Sequence, residues 1–274
     1  MTILSGMTRM KAEILSVPAV VAAQIDSSLT TYLALGERLS ALDPNLVVTS
    51  ARGSSDHAAT YFKYLVEMQL GVPVASIGPS VSSIYATRWK LKKTPVMAIS
   101  QSGGSEDLRL FMEAARQSGG DGIALTNDVN SPLAKAADTV LDLSAGPELA
   151  VAATKTYIAS LVELAAVVAG WSGDHAMVEA LRRLPDDLTK ALNCDWTPAV
   201  ERFQAPGNVF VTARGPGLGI ANEAALKLKE TCLMPAESFS AAELIHGPLA
   251  LSGKSMTALA FVSDDAGRAG TENA

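Results

Sequence analysis

The sequence predicts an α/β fold in which helices cover both faces of a parallel sheet. Three observations predict it: short apolar runs alternate with helix-like segments, the runs lack a period of two, and Ser/Gly-rich turns follow two of them. Hydrophobic residues make up 48% of the 274 residues, which is enough to build a large core. The pattern begins twice along the chain, so we predict two domains, each with a five-stranded parallel sheet in a three-layer α/β/α arrangement.

Residues 1–43 are predicted to form an N-terminal helical segment, because Ala, Leu and charged residues dominate and Ile25, Leu29 and Tyr32 share an apolar face. Pro18 marks the expected helix start. Residues 44–171 form the predicted first domain. Its expected strands lie at 45–51, 72–77, 95–99, 122–126 and 139–143, and its main helices at 56–70, 106–117 and 151–169.

Residues 172–205 are polar and helical in pattern, which predicts a helical connection. The run 209–215 then echoes 47–53, and it begins the predicted second domain, 206–274. We expect a helix at 218–232, a second helix ending at His246 and a strand at 257–262. The sequence stops soon afterwards with no closing helix, so we expect a C-terminally truncated domain, an aggregation-prone sheet edge and little activity.

Charge and cysteine usage exclude several classes of protein. A formal net charge of −6 argues against sequence-independent nucleic-acid binding, which needs a basic face. The two cysteines, Cys194 and Cys232, have neither zinc-site nor disulfide-framework spacing, so we expect no metal and a cytoplasmic location. The most apolar window, 158–171, contains Glu163 and is too short to cross a bilayer.

Two turns could bind an anion. The run 100–105 (SQSGGS) joins an apolar strand to a helix, so hydroxyls, a carboxamide and free N–H groups would meet at a positive helix end. It has no Lys and is not a Walker A loop. The turn 52–57 offers Ser55 from the neighbouring strand. The alternative interpretation is an ordinary Ser-rich turn with a helix cap, and local composition favours it.

Two further groups suit proton transfer. Glu223, Lys227 and Glu230 share one helical face, and a Glu beside a Lys in a cleft could move a proton at carbon. A solvated salt-bridged stripe is the alternative. His246 precedes Gly-Pro, which would hold an imidazole at a helix tip for acid/base work. A helix C-cap explains that His equally well.

Taken together and in this order, these motifs resemble the SIS (sugar isomerase) family. The resemblance is carried by RGSS at 52–55, SQSG at 100–103, AGPE at 145–148, VAATK at 151–155, ALKLKE at 225–230 and ELIHGPLAL at 243–251. It extends from about residue 10 to the end. It implies flavodoxin-like domains and a phosphosugar isomerase or SIS-type glucosamine-6-phosphate deaminase similar to the isomerase half of glucosamine-6-phosphate synthase.

The resemblance also implies a role for particular residues. Glu230 would move a proton between C1 and C2 with Lys227 beside it, and His246 would open the sugar ring, reaching the other subunit of a homodimer. No metal or organic cofactor is needed for an enediol or enolamine route. The residues implied to bind the substrate are Ser55, Ser100, Gln101, Ser102 and Ser105 for the phosphate, and Val151, Ala152, Ala153 and Thr154 for the sugar.

Some positions depart from the synthase pattern. Gly104 stands where Glu is usual, Ser105 replaces Thr, Asp56 replaces an aromatic residue, and Ala153 replaces Ser. No glutaminase segment precedes the SIS-like region, and no residue here takes the role of the family's C-terminal Lys. The resemblance therefore favours conversion of glucosamine 6-phosphate to fructose 6-phosphate and ammonia. The alternatives are aldose–ketose isomerisation without deamination and a non-catalytic sugar-phosphate sensor.

Overall fold

The computed structural model describes residues 7–203, 207–253 and 256–274. By its contacts the chain divides into two compact units between Leu192 and Asn193. This division falls inside the segment 172–205 that the sequence predicts as a connection. The predicted boundary at residue 206 lies outside the described residues.

The first unit contains a five-stranded parallel sheet in the order β2-β1-β3-β4-β5. This is a doubly wound order, because β1 has its successor on one side and β3 on the other. The strands are β1 (Val47–Ser50), β2 (Val74–Ser76), β3 (Pro95–Ser100), β4 (Asp121–Thr126) and β5 (Thr139–Asp142).

Helices cover both faces of this sheet. Met97 and Ile99 of β3 belong to the core shared with α1, α2 and α6, whereas Val96 and Ala98 pack with residues of α4 on the opposite face. The predicted three-layer α/β/α fold with a five-stranded parallel sheet is confirmed. The helices are α1 (Arg9–Leu42), α2 (Ser54–Leu70), α3 (Ser80–Ser83), α4 (Glu106–Gln117), α5 (Pro132–Ala136), α6 (Lys155–Ser172) and α7 (His175–Leu192).

Helix α1 packs lengthwise on α6 within the first unit. It begins at Arg9, where the Thr8 hydroxyl accepts a hydrogen bond from the N–H of Lys11, and Pro18 lies inside it, so the predicted start at Pro18 is wrong. By length and composition alone α1 could cross a membrane. Here its apolar face enters the core. The backbones of α1 and α6 lie close together at Gly36, where an added Cβ would lie 2.2 Å from the carbonyl oxygen of Val167.

The second unit contains three described parallel strands in the order β7-β6-β8, so its first strand, like β1, lies between the next two strands in the sequence. The expected helix before His246 is wrong over residues 236–240, which form β7, because this run pairs with β6 along its whole length. A short helix also follows the last strand, contrary to expectation. The elements are α8 (Thr197–Phe203), β6 (Asn208–Ala213), α9 (Gly217–Cys232), β7 (Ala236–Ser240), α10 (Ala241–Leu244), a 3-10 helix (Pro248–Gly253), β8 (Met256–Ala260) and α11 (Arg268–Glu272).

Candidate functional site

The crevice between β1 and β3 brings the two predicted anion-binding turns together. In a doubly wound sheet, the crevice at the carboxyl ends of the strands opens where the winding reverses, which here is between β1 and β3. Ser55 lies in the first turn of α2, directly after β1, and residues 100–105, which we call the serine loop, end β3 and lead into α4. Neighbouring strands therefore supply both groups to the same edge of the sheet.

Hydrogen bonds inside the serine loop leave donors available. The Ser100 hydroxyl accepts from the N–H of Gly103 (3.1 Å), and the Ser102 hydroxyl accepts from the N–H of Gly104 (3.3 Å). Each hydroxyl keeps its own proton to donate. Ser105 precedes the first residue of α4, and its side chain makes no capping bond. The serine loop can thus offer hydroxyl protons to an anion at the N-terminus of α4.

Gly103 fixes the path of the serine loop. Its φ is +60°, and a Cβ there would lie 2.1 Å from the hydroxyl oxygen of Ser131. Ser131 itself caps α5 by accepting from the N–H of Ala134 (3.2 Å), and the carbonyl of Gly103 accepts from Leu133 (3.1 Å). Glycine is therefore required here both for the left-handed backbone and for the space.

Charges near the mouth of the crevice are paired. The Arg52 guanidinium, after β1, forms an ion pair with Asp107 in the first turn of α4, and this pair joins the two turns. Arg109 hydrogen-bonds the neighbouring Glu106 and lowers the pKa of that carboxyl. All four side chains reach solvent, so the pairs add little to stability. Their effect is to neutralise the acidic residues beside the helix N-terminus.

The predicted sugar-lining residues 151–154 lie before α6 instead of inside it. Helix α6 begins at Lys155, so the predicted start at Val151 is wrong. The side chain of Val151 is fully exposed, and Ala152 adopts a positive φ of 87°. The N–H and the hydroxyl of Thr154 both donate hydrogen bonds to the Glu148 carboxylate.

A carboxylate from the preceding loop caps α6. Glu148 accepts hydrogen bonds from the N–H groups of Thr154 (2.8 Å), Lys155 (3.1 Å) and Thr156 (3.1 Å). Burial alone would raise the pKa of Glu148, but these bonds and that of the Thr156 hydroxyl outweigh it and hold the pKa below its usual value. The N-terminus of α6 is therefore already satisfied by a negative charge of the chain itself.

In the second unit, Lys227 lies between two carboxylates of α9. Its Nζ is 2.7 Å from Glu230 and 3.2 Å from Glu223. The Glu230 side chain is 41% exposed and that of Glu223 only 8%, so Glu230 is the carboxylate open to a ligand. The sequence places Glu223 on this face but assigns it no role. The structure shows it holding Lys227, and the i, i+4 spacing was the available signal.

Glu230 and His246 lie toward opposite ends of the strands of the second sheet. Helix α9 returns antiparallel to β6, and Glu230 is in its last turn, roughly 20 Å along the axis from the turn that follows β6. His246 is exposed and follows β7 at the carboxyl edge, where its N–H donates to the carbonyl of Glu243 (3.0 Å). The length of β7 alone places the two ends of the strands roughly 13 Å apart.

The part of the chain that the structure describes holds no group of three or more His, Cys, Asp or Glu side chains that could bind a metal ion. Cys194 and Cys232 are exposed and are not joined in a disulfide. The polar groups assembled in the first unit are thus hydroxyls, an amide and backbone N–H groups at a sheet switch point. This arrangement defines an α/β domain suited to a small anionic ligand.

Comparison with known proteins identifies this domain. The chain belongs to the SIS domain family, whose model matches residues 43–169. A solved structure from Silicibacter pomeroyi, provisionally assigned as a phosphosugar isomerase, is 41% identical and superposes with a TM-score of 0.94, covering 97% of this chain and 82% of that one. The C-terminal domain of glucosamine-fructose-6-phosphate aminotransferase from Francisella tularensis is 27% identical, with a TM-score of 0.85 over 97% of this chain and 79% of that domain.

A curated relative is longer than this chain. The glutamine–fructose-6-phosphate aminotransferase (isomerizing) of Symbiobacterium thermophilum is 37% identical over 219 residues. The match covers 75% of this chain and 35% of that protein, so the chain spans about a third of the length of this relative.

Proposed function

We propose that this protein is a sugar-phosphate isomerase that converts glucosamine 6-phosphate to fructose 6-phosphate and ammonia in the cytoplasm, without a nucleic-acid or membrane partner. The observation that carries a catalytic role is the Glu223–Lys227–Glu230 cluster, in which a half-exposed carboxylate is fixed by a lysine. A protein that only senses the ligand has no need of such a base. The names of the relatives, a phosphosugar isomerase and an aminotransferase of fructose 6-phosphate, support the substrate class.

In the proposed mechanism the serine loop and Ser55 bind the phosphate, and residues 151–154 line the sugar. His246 moves the ring-oxygen proton as the pyranose opens. Glu230 removes the proton at C2 and delivers it to C1, while the amine gives up one proton and O1 gains one. The aldehyde carbon thus becomes CH2OH and C2 becomes an imine, with no net redox change. Water then adds to the imine, and ammonia leaves as the ketone forms. Lys227, 2.7 Å from the Glu230 carboxylate, keeps it oriented for the first transfer.

We further propose that the active form is a homodimer in which His246 acts in the partner's site. Support comes from the second unit, where Glu230 and His246 of one chain lie toward opposite ends of the strands. The exposed position of His246 in a turn capped by Ser240 and Glu243 suits a side chain that reaches another molecule.

The test is a panel of hexose and hexosamine 6-phosphates given to the full-length protein, with ammonia and ketose measured separately. We expect equimolar ammonia and fructose 6-phosphate from glucosamine 6-phosphate. Ketose formation without ammonia from glucose 6-phosphate would establish the alternative isomerase instead. Saturable binding of sugar phosphates with no turnover of any would contradict both and establish a sensor.

Replacing Gly103 by Ala is expected to weaken binding of inorganic phosphate about tenfold, because the added Cβ meets Ser131 and the left-handed backbone is strained. Isothermal titration calorimetry measures the affinity. The matched control is Gly104→Ala, whose Cβ would lie 3.5 Å from the Ser102 hydroxyl in ordinary contact. Equal affinities in the two variants would contradict the assignment of the phosphate to the serine loop.

A further inference from the structure

A buried acid of α1 holds the segment that the proposed function assigns to the sugar. The carboxylate of Glu13 accepts hydrogen bonds from the backbone N–H of Leu149 (2.6 Å) and Ala150 (3.3 Å). Leu149 and Ala150 directly precede residues 151–154. The Glu13 side chain is only 10% exposed, so its hydrogen bonds to the backbone face little competition from water.

A buried lysine holds the same segment from its other end. The Nζ of Lys155 donates to the carbonyl of Pro147 (2.6 Å) and lies 3.9 Å from the Glu13 carboxylate. That separation is too long for a hydrogen bond. Each charge therefore compensates the other at a distance, while the hydrogen bonds of both go to the backbone of residues 147–150.

A purely structural role would be to neutralise two buried charges. The contacts go beyond this, because the hydrogen bonds to the Glu13 carboxylate come from two successive amides of one connection, and Glu148 in that connection caps α6. The backbone is thus tied on both sides of the exposed Val151 and of Ala152 with its positive φ. A backbone that is held on both sides by hydrogen bonds is typical of a segment that contacts a ligand, because binding requires the segment to keep one conformation.

We propose that Glu13 is a positioning residue for the sugar: it acts through the amides of Leu149 and Ala150 to set the backbone of residues 151–154. The inference rests on the proposed function, since it takes residues 151–154 as the wall of the sugar pocket. The inference implies that different residues control the affinity for the two parts of the substrate. Glu13 controls affinity for the sugar moiety, and the serine loop controls affinity for the phosphate.

The experiment compares the binding of fructose 6-phosphate and of inorganic phosphate to the full-length protein by calorimetry. For Glu13→Ala we expect affinity for fructose 6-phosphate to fall about tenfold, with affinity for inorganic phosphate unchanged. Glu13→Gln, which keeps one acceptor oxygen, should give an intermediate loss and serves if the Ala variant does not fold. Glu37→Ala, at an exposed glutamate of the same helix, is the matched control and should match the wild type for both probes.

The outcomes separate this inference from the proposed function. A parallel loss of affinity for both probes in the Glu13 variants would show a general structural role and overturn the inference, as would no loss for either. Wild-type protein that binds inorganic phosphate but not the sugar phosphate would overturn the proposed substrate class and the inference with it. Faster amide hydrogen exchange at residues 147–154 in Glu13→Ala alone, without loss of sugar affinity, would likewise count against the inference.

Discussion

Glu230→Gln is expected to lower kcat for ketose formation by about a thousandfold, the scale of a lost general base. A carboxamide keeps the size of the side chain and an oxygen that can accept from Lys227, but it cannot take a proton from carbon. The ion pair at 2.7 Å becomes a neutral hydrogen bond, so the fold of α9 should persist. Because the proposed phosphate site is the serine loop and not α9, KM should change little.

The measurement is a steady-state assay of ketose formation on full-length protein, with circular dichroism to confirm folding. Glu201→Gln, at an exposed glutamate of α8, is the matched control and should keep wild-type kcat. A Glu230→Gln enzyme that retains kcat within tenfold of the wild type would show that Glu230 is not the base. A raised KM at unchanged kcat would move its role to binding.

The parallel sheet could be predicted because its signals are local. Strands β3 and β4 are unbroken apolar runs between turns, and helix α4 covers 106–117 as predicted, with serines at both borders. The start of α6 could not be predicted in this way. Its cap is the carboxylate of Glu148, which lies seven residues before Lys155 and satisfies the helix N–H groups only once the loop has folded. The residues immediately around Lys155 therefore do not indicate where the helix begins.

In the candidate site, too, some features could be predicted from the local sequence and others depend on the fold. The side chains of the serine loop could be identified from composition. Their meeting with Ser55 depends on the strand order, since β1 and β3 are adjacent in the sheet although β2 separates them in the sequence. Residues 236–240 carry a Glu and two Ser, which suit a helix start, so the local pattern favours a helix where β7 forms. Pairing with β6 overrides this local preference, and Ser238 donates to the Asn222 side chain (2.8 Å). The role of Glu13 could not be predicted from the sequence, because Leu149, which donates to its carboxylate, is 136 residues away.

Glu163→Gln is expected to flatten the pH dependence of stability. Glu163 on α6 is fully buried, and neither carboxylate oxygen has a hydrogen-bond partner among the described residues. Burial raises its pKa well above the usual value, and the charge of Asp142 raises it further. The groups around it are the Tyr32 hydroxyl, whose pKa is also raised chiefly by burial, and Gln24, whose amide donates to that hydroxyl.

The sign follows from linkage. In the unfolded chain this carboxyl ionises near pH 4.5, whereas the folded protein keeps it protonated. Between pH 4.5 and the higher folded pKa, the folded state binds one more proton than the unfolded state, so stability falls as pH rises. The loss is about 1.4 kcal/mol in the free energy of unfolding for each pH unit. Gln does not titrate, so the variant should lack this loss.

Urea unfolding at pH 5 and pH 8 measures the effect. The wild type should lose more free energy of unfolding between the two pH values than Glu163→Gln, so the variant should be more stable relative to the wild type at pH 8 than at pH 5. Glu37→Gln, exposed on α1, should keep the wild-type slope. Parallel pH profiles for wild type and Glu163→Gln would mean that Glu163 ionises normally in the folded protein, and hence that a positive group or water satisfies it. A steeper loss in the variant would reverse the sign of the argument, because it would require that the folded state gain from the charge of Glu163.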